Sequence, residues 1–600
     1  MRNIKLSNSV LKIITVSLFL FIASVVITQS GTNDYDILIK GTTIVDGTGK
    51  PGYVGDVAIK GEKIAAVGRV TGSAKVIIDG AGLVTSPGFI DPHSHADGTI
   101  LTMGGADLAT NLLMQGITMV VGGNCGNSTA PQKKVSFGQW LSKLEKNGTS
   151  INYGGLVGHN RIRSFVMGDD FKRQAKPDEI KQMKDQVAIA MQEGAFGLST
   201  GLDYFPGEYA NTEEIIALAK SAAEHGGLYA THIRHNNSNS PADSMEEWKY
   251  GVYHGPAEDM WVGRYRGLLE AIEIGRQAQI PLHISHFKNV FRIPQPHPDF
   301  LEESATKASL WYIDESRKEG MDVTFDVIIS PSNIAMPGKL IDSFINSYTY
   351  ALDWLKEYDQ DSFMEKIRAG KLVDKIRTIH NSAKLKLGKC NTQADPYWMD
   401  RFKILECANS DYVEKTIHEV ALMRNMDPFD VLFEILKEDP DTIWIQHLDE
   451  RDLAAAKRVL VKHPQAMICT DTNVLPPVVP PGGFKAGGYT LMPAPIYFGM
   501  YADYLGNFVR EQSILALEEA VMKATLLPAQ RLGLDDRGKL APDYYADVVI
   551  FDINTIKMMG TYLKPDQPPE GIKYVFVNGV LTYKDKVHTG ALAGKVIRHR

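Results

Sequence analysis

The chain has 600 residues, 44% of them hydrophobic, and a formal net charge of −7. That length is too great for one simple core and asks for a large barrel with additions, or for two to four units. The mild acidity offers no basic surface for nucleic acid or anionic lipid, so neither is expected as a partner.

Residues 1–30 stand apart. Arg2, Lys5 and Lys12 precede the apolar run IITVSLFLFIASVVI. A basic start followed by roughly fifteen apolar residues reads as a secretory signal, and it falls short of the about 20 residues a spanning helix needs. Export is expected, most simply to a periplasm. The alternative is an uncleaved N-terminal anchor, and a membrane enters only in that case. The four cysteines, Cys125, Cys390, Cys407 and Cys469, are too few and too scattered for a disulfide scaffold. An exported chain permits disulfides, and Cys390 with Cys407 is the candidate pair, with free thiols as the alternative.

Residues 34–85 alternate apolar and polar positions between glycines: YDILIKGTTIVDG, DVAIKGEKIAAVG, KVIIDGAGLVTSPG. These are short strands and tight turns. ADVVIFD, IKYVFVNGVLTYKD and GKVIRHR repeat the style near the other end. Segments 34–85 and 540–600 are therefore expected to join into a small β-sandwich outside a central unit, 86–539.

In the central unit a first strand at 84–92 is followed by GITMVVGGNC, NYGGLVGHN, AFGLSTGLDY, LYATHIRHN, PLHISHFKN, DVTFDVIIS and AMICTDTN. Helical patterns such as TEEIIALAKSAAEHG and GLLEAIEIGRQAQI, with apolar spacing of three and four, lie between them. Repeated strand-then-helix with buried strands marks a parallel sheet, and eight such strands predict an α/β fold of the (β/α)₈ TIM-like barrel kind. DTIWIQH at 441–447 competes with DVTFDVI for the seventh place. Two stretches read as insertions, about 236–265 and about 331–440, the second too long for an ordinary loop. Both are expected over the C-terminal mouth of the barrel as substrate lids.

Catalytic groups in such a barrel come from the C-terminal ends of several strands. The stretch 88–97, GFIDPHSHAD, ends the first strand with His93 and His95 two apart. On extended backbone they point to the same side, and neutral imidazole is the commonest metal ligand. Asp91 and Asp97 flank them and are expected to orient the rings. Cys125 ends the second strand in GGNCGNS, where glycines let the backbone crowd a metal. His232 ends the fifth in THIRHNN, His286 the sixth in ISHFKN, and Asp471 the last in CTDTN. Singly, each is explained as well by packing, core hydrogen bonding or capping. Together, a thiolate, four imidazoles and a carboxylate at five strand ends point to a metal, and to zinc rather than calcium or magnesium, which prefer oxygen. His159, read as part of the third strand, is a candidate for supporting a ligand from behind or for contacting the substrate.

The order His-x-His, Cys, His, His, Asp resembles the amidohydrolase superfamily. GNCG on the second strand and ISHFK on the sixth resemble its D-aminoacylase (N-acyl-D-amino-acid deacylase) branch, as do LVGHNRIR, GAFGLSTGLDY, LEAIEIGRQA and YLGNFVRE. The likeness covers nearly all of the chain after residue 34. It implies that a cysteine replaces the carbamylated lysine that bridges two metals in many relatives. Carried over, Cys125, His232 and His286 would hold one tight Zn²⁺. Cys125, His93, His95 and Asp471 would surround a second, weaker site. The implied reaction is metal-assisted hydrolysis of a carbon–nitrogen amide bond in a small molecule, with Asp471 moving the proton from water to the leaving amine. Lys288 matches a lysine that contacts the substrate carboxylate.

The chain departs from the family at three places. Ile328, Ile329 and Ser330 stand where a Tyr-Pro-Tyr run is usual. Ala494-Pro495-Ile496 and Met500-Tyr501-Ala502-Asp503 replace HPR and TFPR patterns, so two arginines that would fix a carboxylate are missing. An N-acyl-D-amino acid is the default substrate. The alternatives are a cyclic amide, opened as by a dihydroorotase or hydantoinase, or a dipeptide.

Overall fold

The computed structural model describes residues 33–102, 108–234, 236, 263–290, 298–329, 338–345, 355, 357–381, 386–387, 390–391, 398–446, 454–479, 484–486, 489–491 and 493–600. The expected export signal and nearly all of the expected 236–265 insertion lie outside these residues.

Eight short strands make the barrel: β1 (Phe89–Asp91), β2 (Ile117–Gly122), β3 (Asn152–Gly155, resumed at Val157–Gly158), β4 (Gly197–Gly201), β5 (Leu228–His232), β6 (Leu282–Ile284), β7 (Val323–Val327) and β8 (Ala466–Ile468). Each pairs in parallel with the next. Every residue of β2, β5 and β7 is buried. Strands covered on both faces carry apolar side chains at successive positions, and for that reason they read in the sequence as unbroken apolar runs. Outer helices, among them Phe137–Asn147, Pro177–Gln192, Thr212–Ala223 and Asp299–Lys318, return the chain between strands. Two of them begin on caps legible in the sequence, Ser136 with Gln139 in a reciprocal capping box and Asn211 accepting from Glu214 N–H.

The barrel closes between β8 and β1 beyond the C-terminal ends of both strands. Asp471 N–H donates to the His93 carbonyl at 2.9 Å, and His95 N–H to the Thr472 carbonyl at 2.7 Å. The seam is therefore stitched by the backbone of the candidate ligands themselves.

The seventh place belongs to DVTFDVI. The competing run, Ile443–Gln446, pairs antiparallel with Phe402–Glu406 and Gly338–Lys339 in a separate three-stranded sheet. That sheet and its helices bury Phe344, Phe363, Phe402, Phe429, Phe433 and Trp444 in a core of their own. Cys407, in the same region, is a free thiol whose sulfur accepts from the Thr442 hydroxyl at 3.5 Å. The expected bridge to Cys390 is thus not formed.

The two ends of the chain meet in one nine-stranded sheet. Its junction is the antiparallel pair Val84–Pro87 with Val548–Phe551. One face buries Ile39, Ile59 and Ile64 with Leu540, Val548 and Phe576. The last residues then run beside β3, where Tyr153 N–H donates to the Lys595 carbonyl and Ile597 N–H to that of Tyr153. Among the described residues no helix is long and apolar enough to cross a membrane.

Candidate metal centre

Six side chains from five strand ends converge at the C-terminal mouth of the barrel. Two groups share Cys125: His93, His95, Cys125 and Asp471 in one, Cys125, His232 and His286 in the other. Within each, the ligand atoms lie within 4.8 Å of one another. Cys125 Sγ is 3.4 Å from His93 Nε2, 3.5 Å from His286 Nε2 and 3.8 Å from His232 Nδ1. Asp471 Oδ1 is 3.3 Å from His93 Nε2 and 3.0 Å from His95 Nε2. Tetrahedral ligands at zinc bond lengths of about 2.0–2.3 Å stand roughly 3.3–3.8 Å apart, so most of these separations already suit one small cation. His232 Nδ1 and His286 Nε2, at 2.9 Å, would have to spread slightly.

The backbone is bent to bring them there. Cys125, His286 and Asp471 have φ of 50°, 36° and 53°, the left-handed region that residues with a Cβ seldom adopt. Such conformations persist only where the surroundings hold them, and they cluster at functional sites.

The electrostatics are those of a cation site. Burial opposes the Cys125 thiolate, but the His93 charge and hydrogen bonds from His232 and His286 overcome it and hold the thiol well below its ordinary value. Burial also opposes the Asp471 carboxylate, and His93 and His95 hold it well below the usual range. Reciprocally, the charges of Cys125, Asp326 and Asp471 outweigh burial and keep His93 well above its ordinary value. The Asp471 and Cys125 hydrogen bonds similarly outweigh burial at His95 and raise it to about 10. Two acidic groups, Cys125 and Asp471, share one small buried volume, and a metal ion would supply their counter-charge compactly.

The far nitrogens of three rings are also engaged. His93 Nδ1 meets Asp326 Oδ2 at 3.3 Å, His232 Nε2 meets Asp203 Oδ2 at 3.2 Å, and His286 Nδ1 meets the Asn236 amide at 3.1 Å. Sequence reading missed all three partners. Asp203 lies two residues past β4 in GLDY, and Asp326 is the one charged residue inside the apolar β7; a lone acid in a buried strand is the signal that could have found it. Asp91 and Asp97, expected to orient the rings, instead hold backbone. Asp91 accepts from His93 N–H and from Thr470, and Asp97 from Gly123 N–H and Thr129 N–H. Their side chains are taken up by those amides, so ring orientation falls to acids on other strands.

His159 opens the helix His159–Met167 instead of lying on β3. Its ring is fully buried, with Nε2 on Glu214 at 2.8 Å and Nδ1 on Asn160 at 3.3 Å. Lys288 is half-buried and lines a pocket with His286, Asn289, Ile328 and Lys457. Lys457 is a second cation the sequence did not flag, and burial pushes it down to about 7. Of the divergent positions, Ala494, Ile496 and Met500 are core, and Tyr501 spends its hydroxyl on the Ile90 and Ile468 carbonyls. Ser330 lies outside the described residues.

The sequence pattern of the amidohydrolase family matches residues 76–257 and 484–583. A D-aminoacylase of Alcaligenes xylosoxydans xylosoxydans is 30% identical over 588 residues, spanning 95% of this chain and 99% of that one. A solved D-aminoacylase, studied for its binuclear metal centre, aligns with a TM-score of 0.65 at 28% identity over 94% of this chain and 100% of that one. An N-acyl-D-glutamate deacylase of Bordetella bronchiseptica, solved with zinc and a phosphonate mimic of the tetrahedral intermediate, gives 0.65 at 26% identity over 94% and 99%.

Proposed function

The chain belongs to the amidohydrolase family, enzymes acting on carbon–nitrogen bonds other than peptide bonds, and from that premise we propose a zinc-dependent deacylase of N-acyl-D-amino acids. One observation carries the reading: a single thiolate, Cys125, is shared by two groups of metal-type donors at the mouth of a (β/α)₈ barrel. Cys125, His232 and His286 would hold the tighter ion, and Cys125, His93, His95 and Asp471 a weaker second one. When bound, zinc polarises the scissile carbonyl and lowers the pKa of water towards neutrality.

The chain's own residues supply the rest. Asp471 is held ionised by its two histidine neighbours, so it accepts a proton from the attacking water and hands it to the leaving amine. Lys288, two residues past His286, pairs with the substrate carboxylate. The apolar wall formed by Val327, Ile328 and Leu460 beside Lys288 favours an apolar substrate side chain. The basic, then apolar, residues 1–30 support export to a periplasm; cell fractionation checks this, with recovery in the cytoplasmic fraction removing it, and N-terminal sequencing reads cleavage, with a retained Met1 favouring the anchor.

The test is a purified protein assayed on N-acetyl-D-amino acids, their L-forms, cyclic amides and D-dipeptides. Hydrolysis of the D-acyl series, abolished by a chelator and restored by Zn²⁺, is the expected result. Turnover of rings or dipeptides alone would remove the deacylase reading, and full activity without metal would remove zinc.

A further inference from the structure

Barrel strand β7 supplies no candidate ligand, yet it carries the most heavily bonded carboxylate near the centre. Asp326 is completely buried. A carboxylate offers about four lone-pair positions, and four donors meet it. Oδ2 faces His93 Nδ1 at 3.3 Å and His283 Nε2 at 2.7 Å. Oδ1 accepts from the backbone N–H of His286 at 2.6 Å and from the Cys469 thiol at 2.9 Å.

Two consequences follow from valence alone. An ionised carboxylate accepts and never donates, so His93 carries its proton on Nδ1. The lone pair then belongs to Nε2, the nitrogen 3.4 Å from Cys125 Sγ and 3.3 Å from Asp471 Oδ1. His283 meets the same oxygen with Nε2, and its Nδ1 lies 2.8 Å from the Thr324 hydroxyl. The second consequence concerns backbone. His286 sits at φ 36°, and its N–H bond to Oδ1 pins the strained peptide whose side chain reaches Cys125.

We propose that Asp326 is a positioning residue for the metal centre: one carboxylate fixes the ligand tautomer of His93 and the backbone of His286, and thereby holds a donor of each metal group. The proposal rests on the metal reading above.

Asp326→Asn separates the two roles. The His286 N–H cannot change, so the amide oxygen must face it and the NH₂ must turn towards His93 and His283. His93 is then driven to protonate Nε2, the face of the site. Zinc titration of metal-stripped protein is expected to show about 10- to 100-fold weaker binding of the second ion, the one His93 would help hold, with the first little changed. In a His93→Ala background the same change should add less than about 2-fold, because the partner it acts through is gone. Equal losses in both backgrounds would mean a merely structural role and would overturn the proposal, as would wild-type affinity in Asp326→Asn. A wild-type protein that takes up no zinc removes the metal reading itself. Where the variant does not fold, imidazole nitrogen NMR of ¹⁵N-histidine-labelled wild type decides: a proton on His93 Nδ1 supports the assignment, and a bare Nδ1 overturns it.

Discussion

At the scale of single residues, the centre is a set of strained backbones held by close neighbours. Left-handed conformations at Cys125, His286 and Asp471 cost on the order of 1–3 kcal/mol each. Gly201, which ends β4, lets the Cys125 peptide approach so closely that a Cβ there would lie 2.2 Å from the Cys125 carbonyl oxygen. Gly201→Ala is therefore expected to displace Cys125 and lower zinc content per mole, read by metal analysis of the purified variant; full zinc occupancy would show that the loop can shift freely. Asp471→Asn keeps size but loses the acceptor charge, and kcat is expected to fall about 10²- to 10⁴-fold; activity within threefold of wild type, a range taken as roughly no effect on that scale, would assign the proton transfer elsewhere. The six residues that converge were legible in the sequence because each is a distinctive type at a strand end. Asp326, Asp203 and Asn236 were not, because a ring's outer partner is chosen by strands far away in the chain.

At the scale of elements, caps and pairing decide what local pattern leaves open. The helix Pro177–Gln192 starts on Glu179, which accepts from Lys176 N–H at 2.7 Å and from Arg173 at 2.8 and 2.7 Å. The Arg173 hydrogen bonds, above all, lower the Glu179 carboxyl from 4.5 to about 2. A depressed acid contributes stability above its unfolded value and loses it as pH falls through the folded one. Glu179→Gln is thus expected to cost about 0.5–1 kcal/mol near neutrality, a difference that shrinks between pH 4.5 and about 2. Chemical denaturation at several pH values reads it, and a pH-independent gap would place the effect in packing. The two contenders for the seventh strand show the limit of local reading. DVTFDVI and DTIWIQH are both short apolar runs; hydrogen-bonded neighbours, parallel for one and antiparallel for the other, told them apart.

At the scale of the whole molecule, the C-terminal segment is tied to the barrel through one buried polar network. Asp547 pairs with Arg537 and accepts from Asn578 N–H at 2.8 Å and from Asn152 of β3 at 3.1 Å. Asn578 in turn donates to Asn152 at 2.8 Å and to the Ala593 carbonyl at 2.7 Å. Arg537→Met would leave Asp547 buried without its cation, at a cost of about 3–5 kcal/mol, and thermal unfolding should shift down accordingly; an unchanged midpoint would mean water reaches the site. By itself the sequence determined the alternation of strands and helices, the family, and the kinds of donor available at each strand end, because these depend on residue type and short-range spacing. Only the tertiary structure decided which run became the seventh strand, which side chain meets the far nitrogen of His93, His232 and His286, and that Cys407 is a free thiol. Those outcomes depend on which segments become neighbours across hundreds of residues, and burial makes each hydrogen bond exclusive: a donor committed to one partner in a dry interior has none left for another.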